Sequence, residues 1–196
     1  MSTRAIKKIH FYFTFFCNFL LMTSLSLSVS AKDYEDFFDI TQNSELIAQF
    51  HDWFLFKHGR GDQEICYLLS TPISSQRTTR FREESYFIIT LNADLMDEVS
   101  TSLGFYFKEN SNVELSFGSK KFYLFPYRNL AWANNKNEDI DIVKAMKNKD
   151  RMFVTGVSKN GELVIDIYSL VGYNQAYRKM RDDCKKIKGS KFKNLT

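Results

Sequence analysis

From residue 49 to residue 168 the chain repeats one device: short runs in which apolar and polar side chains alternate, cut by turn residues. Tyr86 to Leu91 sets Phe87, Ile89 and Leu91 on one side. Residues 64–70 place Ile65, Tyr67 and Leu69 together before Pro72 ends the run. Because successive side chains of a strand point to opposite faces, this period marks half-buried β-strands and excludes amphipathic helices over the same stretches. Further runs lie at 49–57, 103–107, 112–117, 121–125, 129–133, 151–158 and 162–168. Gly118-Ser119 reads as a hairpin turn, and Asn160-Gly161 as a two-residue type I′ turn with positive φ at both positions. Such spacing predicts a mainly β fold, a single antiparallel sandwich or barrel-like domain. In residues 49–57 the alternation groups Phe50, Asp52, Phe54 and Phe56 on one face, and Trp53 and Trp132 are expected in the core.

Two segments leave the pattern. Residues 138–149 carry Ile142, Val143 and Met146 at helical spacing, with Asn137 as the expected N-cap, acids in the first turn and lysines toward the end. Residues 170–184 carry Tyr173, Ala176, Tyr177 and Met180 at i, i+3, i+4 and i+7, a stripe that docks a helix on a sheet. Cys184 falls one turn further along that stripe.

The charge divides by segment. The formal net charge of +4 combines Arg4, Lys7 and Lys8 at the front with Lys185, Lys186, Lys188, Lys191 and Lys193 at the back. Residues 32–184 hold 19 basic and 23 acidic side chains, which argues against a nucleic-acid binder. Residues 1–31 read as a signal peptide: a basic start, a Phe- and Leu-rich stretch, and Val29 and Ala31 at the −3 and −1 positions of a cut after Ala31. An uncleaved anchor is the alternative, although four serines and Thr23 dilute the second half of the stretch. The expected order is signal peptide 1–31, acidic-aromatic lead-in 32–48, β domain 49–184 and basic tail 185–196. The protein is expected in the periplasm or at the cell surface, or released.

Export alters the meaning of the cysteines. Once Cys17 leaves with the signal, Cys66 and Cys184 remain, and an oxidising compartment favours a disulfide between them over two buried thiols. Two cysteines so far apart, with only His51 and His58 after the signal, do not make a zinc site, and no metal or cofactor is expected. His51 and Asp52 are strand neighbours facing opposite ways, and no serine sits in a nucleophile elbow, so no catalytic residues are assigned. Arg60-Gly61-Asp62 matches a short integrin-binding tripeptide, a pattern that arises readily by chance. Arg77, Arg80 and Arg82, in a Ser/Thr-rich loop, are candidate contacts for an anionic partner; the plain alternative is a solvated loop. The C-terminal lysines could likewise tether the chain to an anionic membrane.

Several of these segments together resemble the invasion associated locus B family of alphaproteobacterial exported proteins. The residues that carry the likeness are Ala131-Trp132, Asp141–Lys147, Met152–Ser158, Asn160-Gly161, Asp166–Tyr173, Ala176 and Cys184. Toward the front, Asp52-Trp53 and Glu64–Tyr67 match the family's Asp-Trp strand and its cysteine strand. The likeness spans roughly residues 49–184 and is thin between 73 and 125. In many relatives a cysteine stands about four residues after the tryptophan, where this chain has Phe56-Lys57. The resemblance implies a β-rich envelope protein without established catalytic residues, linked in some members to host-cell entry. The expected function is therefore non-enzymatic surface binding, to an envelope or host-surface protein, glycan or anionic lipid. The alternative is a structural or chaperone-like periplasmic component with no host role.

Overall fold

In the computed structural model, which describes residues 42–59, 64–77, 82–91 and 96–192, the alternating runs form one curled antiparallel sheet of eleven strands, a half-barrel, with two helices. The expectation of a mainly β domain with a sandwich or barrel-like build and two helices thus holds. The strands are β1 (Ser44–Phe50), β2 (Trp53–His58), β3 (Ile65–Ser70), β4 (Ser74–Gln76), β5 (Tyr86–Leu91), β6 (Asp97–Ser102), β7 (Val113–Phe117), β8 (Lys120–Tyr127), β9 (Leu130–Trp132), β10 (Arg151–Val157) and β11 (Leu163–Ser169). Their order across the sheet is β1-β2-β3-β5-β6-β9-β8-β7-β10-β11-β4. The helices are α1 (Lys136–Met146) and α2 (Tyr173–Phe192).

β8 joins the two halves of the curl. Residues 120–124 pair with β7, while Phe125, Pro126 and Tyr127 pair with Trp132, Ala131 and Leu130 of β9. Its inward side chains, Phe122 and Leu124, enter a core shared by every long strand. α1 adds Ile142, Val143 and Met146 to that core, and α2 adds Tyr173, Ala176, Met180 and Cys184. Each large side chain buried this way contributes about 1.5–3 kcal/mol relative to exposure. Trp53 is fully buried and donates its indole N–H to the carbonyl of Ser169 at 3.0 Å, which ties β2 to the far end of β11. Tyr173 lies against it, ring centroids 5.1 Å apart. Trp132 departs from its expected core position: it faces outward and is half-buried.

Four strand readings require correction. Residues 49–57 are not one strand but the end of β1, a tight turn at His51-Asp52, and most of β2, with Phe50 paired to Trp53. A two-residue turn sets residues three apart opposite each other and so moves the inward positions by one in the sequence, which a single run of period 2 does not represent; the left-handed φ of +54° at His51 marks the reversal. Phe50 and Trp53 therefore face the core, while Phe54 and Phe56 join Tyr67, Leu69, Tyr86 and Ile88 on the opposite face. β1 also begins at Ser44, inside the expected lead-in. The strand expected at 103–107 is displaced to β6, whose buried Thr101 and Ser102 weaken the apolar signal. β4 is a three-residue edge strand of Ser-Ser-Gln with no apolar member. The Asn160-Gly161 turn reverses the chain, but as a longer loop: Gly161 takes φ +86° and donates its N–H to the carbonyl of Ser158.

α1 starts earlier than expected, capped by Asn135 rather than Asn137. The Asn135 carboxamide oxygen accepts the backbone N–H groups of Asn137 and Glu138 at 3.1 and 3.2 Å. α2 runs past Cys184 to Phe192, so Lys185, Lys186, Lys188 and Lys191 belong to a helix and not to a separate tail. Cys66 on β3 and Cys184 on α2 form a disulfide, their Cα atoms 6.4 Å apart. The cut after Ala31, the lead-in up to 41, Arg60-Gly61-Asp62, Arg80 and Lys193 lie outside the described residues.

Candidate interaction surface

Of the arginine loop, Arg77 and Arg82 lie among the described residues, and Arg82 is committed within the fold. Arg77 is exposed at the end of β4 and carries a left-handed φ of +51°. Arg82 instead turns inward. Its guanidinium engages Asp166 of β11, whose side chain is fully buried, with Nη1 2.9 Å from Oδ1 and Nη2 2.5 Å from Oδ2. The hydroxyls of Ser75 and Ser85 donate to the same carboxylate at 2.6 and 2.5 Å, and Arg82 also contacts Ser85. A buried carboxylate needs a cation and hydrogen-bond donors, and Arg82 is committed to that need. The cue in the sequence was Asp166 itself, an acid at an inward position of an apolar strand.

The surface that stands out was not singled out as a site in the sequence. On the outer face of β8, Tyr123, Phe125 and Tyr127 are 49%, 51% and 61% exposed. They alternate with the inward Phe122 and Leu124, so β8 is apolar on both faces. Residues two apart on a strand are spaced about 6.6–6.8 Å, which lays the three rings in a row. Trp132 on β9 pairs with Phe125, ring centroids 6.3 Å apart and planes inclined by 33°. Tyr127 faces the half-buried Leu130 across the same ladder.

This row sits on a firm platform. The side-chain amide of Asn134 donates to the carbonyl of Tyr123 at 2.7 Å and to Glu138 Oε2 at 2.8 Å. Glu138 also accepts the backbone N–H of Asn134 at 2.6 Å, so the start of α1 is laced to β8. Lys120 and Lys121 open the strand and Arg128 follows it in a left-handed turn position. Lys121 is ion-paired with Glu114 at 2.9 Å, and Lys120 lies 4.8 Å over the Phe122 ring. Residues 115–137 contain Lys120, Lys121, Arg128 and Lys136 and no acid. The exposed rings therefore stand among charges of both signs, with Glu114 directly across from Tyr123 and four cations against Glu114 and Glu138 over residues 114–138.

His51 and Asp52 form the β1–β2 turn, and His58 ends β2 with its Nδ1 3.0 Å from Ser44 Oγ. Among the described residues no three His, Cys, Asp or Glu side chains are grouped as a metal site requires, and no helix is long and apolar enough to cross a membrane.

No protein-family model matches the chain, and no curated protein matches it either. Among solved structures it resembles invasion associated protein B from Bartonella henselae, with a TM-score of 0.50 and 16% sequence identity. The match covers 72% of this chain and 98% of that one. Identity this low shows a shared fold. That fold belongs to a protein of the kind that the sequence motifs resemble, which supports the resemblance from an independent direction.

Proposed function

We propose that the chain is an exported bacterial envelope protein of the invasion associated locus B type, non-enzymatic, which acts by binding an acidic protein on the envelope or host surface. The observation that carries the reading is the half-exposed row of Tyr123, Phe125, Tyr127 and Trp132 on a braced strand. Rigid aromatic side chains supply large contact area at low entropic cost and dominate protein interfaces. An acidic partner is favoured by the excess of cations over residues 114–138, where Lys120, Lys121, Arg128 and Lys136 stand against Glu114 and Glu138. Export rests on the signal-like segment ending at Ala31, and the link to host-cell interaction rests on the motif resemblance and on the name of the structural neighbour.

Two measurements test this. N-terminal sequencing of the protein from its native cell should begin at Lys32; a start at Met1 would mean an anchor. Fractionation during infection should find the protein on the surface or released. Retention in the periplasm would favour the structural or chaperone-like role instead.

A further inference from the structure

The cleft where α1 ends beside α2 holds charge that neither the core nor the aromatic row uses. It has a volume of about 430 Å³ and is lined by Lys147, Asn174, Tyr177, Arg178, Arg181 and Asp182. Three lining cations face the lining carboxylate of Asp182 and that of Asp97, which is ion-paired with Arg181, so the cleft keeps a single positive excess. Asn174 donates its side-chain N–H to the carbonyl of Lys147 at 2.9 Å, which occupies an acceptor at the negative end of α1. Tyr177 donates its hydroxyl to Asp97 Oδ2 at 2.6 Å. Burial, then that hydrogen bond, raises the phenol far above its usual range, so no phenolate forms in the cleft. Asp97 is thereby drawn to the wall, where its other oxygen lies 3.6 Å from Arg181. Lys147 stands 5.2 Å over the Tyr177 ring, and Arg178 is exposed at the cleft mouth.

We propose that this cleft binds a phosphate group, as a monoester or a diester, with Arg178 and Arg181 as planar forks and Lys147 as a point charge. A phosphate monoester carries about −1.5 to −2 charges and three acceptor oxygens, which matches more than one cation; a diester carries one charge on two oxygens of a tetrahedral centre that an arginine fork can engage together. Arginine forks suit the paired oxygens of phosphate. The site is separate from the aromatic row and does not depend on the binding role given to that row.

Amide NMR titration of the purified exported protein at 0.1 M salt tests the site. The probes are inorganic phosphate, glycerol phosphate, acetate, and vesicles of phosphatidylcholine with or without phosphatidylglycerol. Saturable shifts at Lys147, Asn174 and Arg178 are expected with a phosphate-bearing probe and not with acetate or neutral vesicles. The double variant Lys147→Ala, Arg178→Ala should bind roughly tenfold or more weakly with its melting midpoint unchanged. A response to the soluble phosphates identifies a small ester as ligand, and a response to phosphatidylglycerol vesicles alone identifies a lipid headgroup. No response to any phosphate probe, an equal response to acetate, or full binding by the double variant would overturn the proposal.

Discussion

Arg82 and Asp166, 84 positions apart, meet through the two terminal guanidinium nitrogens and both carboxylate oxygens at the junction of the β4–β5 connection with β11. The pair fixes where the chain re-enters the sheet, because the backbone N–H of Glu83 also bonds the carbonyl of Gly104 at 2.8 Å. Asp166 has no access to water, so its charge depends on Arg82, Ser75 and Ser85. Removal of one partner of such a pair costs about 3–5 kcal/mol, because it leaves a buried charge without compensation. Arg82→Ala should lower stability by that order in urea denaturation. The double variant Arg82→Met, Asp166→Leu should recover much of the loss. Equal stability of Arg82→Ala and the wild type would contradict this account.

The disulfide pins α2 to β3 and closes a loop with a sequence separation of 118. The chain-entropy relation gives about 4–5 kcal/mol for a loop of this length, an upper figure. Cys66 and Cys184 peptides should appear joined in non-reducing mass mapping. Cys184→Ala should unfold at lower urea without loss of the sheet's circular dichroism in the absence of denaturant. Two free thiols in the native protein would contradict the pairing.

Asp139 sits in the first turn of α1 and accepts the backbone N–H of Val99 at 2.8 Å. Burial raises its pKa; the Val99 bond opposes that, and Glu98, Asp97 and Glu138 add to the rise. A carboxyl whose folded pKa lies above its unfolded value favours folding fully below the unfolded pKa, and this contribution is lost as pH rises through the folded one. Asp139→Asn keeps an acceptor for Val99 and removes the charge. Stability of the variant should therefore change less than that of the wild type as pH rises through the carboxylate range, read from urea midpoints between pH 4 and pH 7. Parallel curves would show that Asp139 does not titrate as stated.

What could be read from the sequence follows from parity and composition. β5, β10 and β11 are strongly apolar at every second position, and they appear where the alternation puts them. β6 and β4 are polar and take their strand form from neighbours, through pairing with β5 and β11, so no local signal announces them. The His51-Asp52 reversal was missed because Phe50, Phe54 and Phe56 fit one period-2 run, whereas the turn moves Phe54 and Phe56 to the face opposite Phe50. The surface was less legible than the fold. Arg82 looked like a free surface cation because its partner lies 84 residues away. Conversely, β8 read as an ordinary strand because period 2 cannot tell which of two apolar faces is covered. Only the exposure of Tyr123, Phe125 and Tyr127 separates the outer face of β8 from its core face.

The most direct test of the central claim is site-specific photo-crosslinking in the cell that makes the protein, with a photoreactive phenylalanine analogue at position 125 and, as a control, at the exposed Ile73. The reading predicts a covalent adduct from position 125 alone, to an acidic protein. That protein, once purified, should bind the wild type in a salt-sensitive manner, and binding should weaken on Tyr123→Ser or Trp132→Ser with stability within about 0.5 kcal/mol. Adducts of equal yield at both positions, or a captured protein that binds the Tyr123→Ser variant as well as the wild type, would contradict the claim.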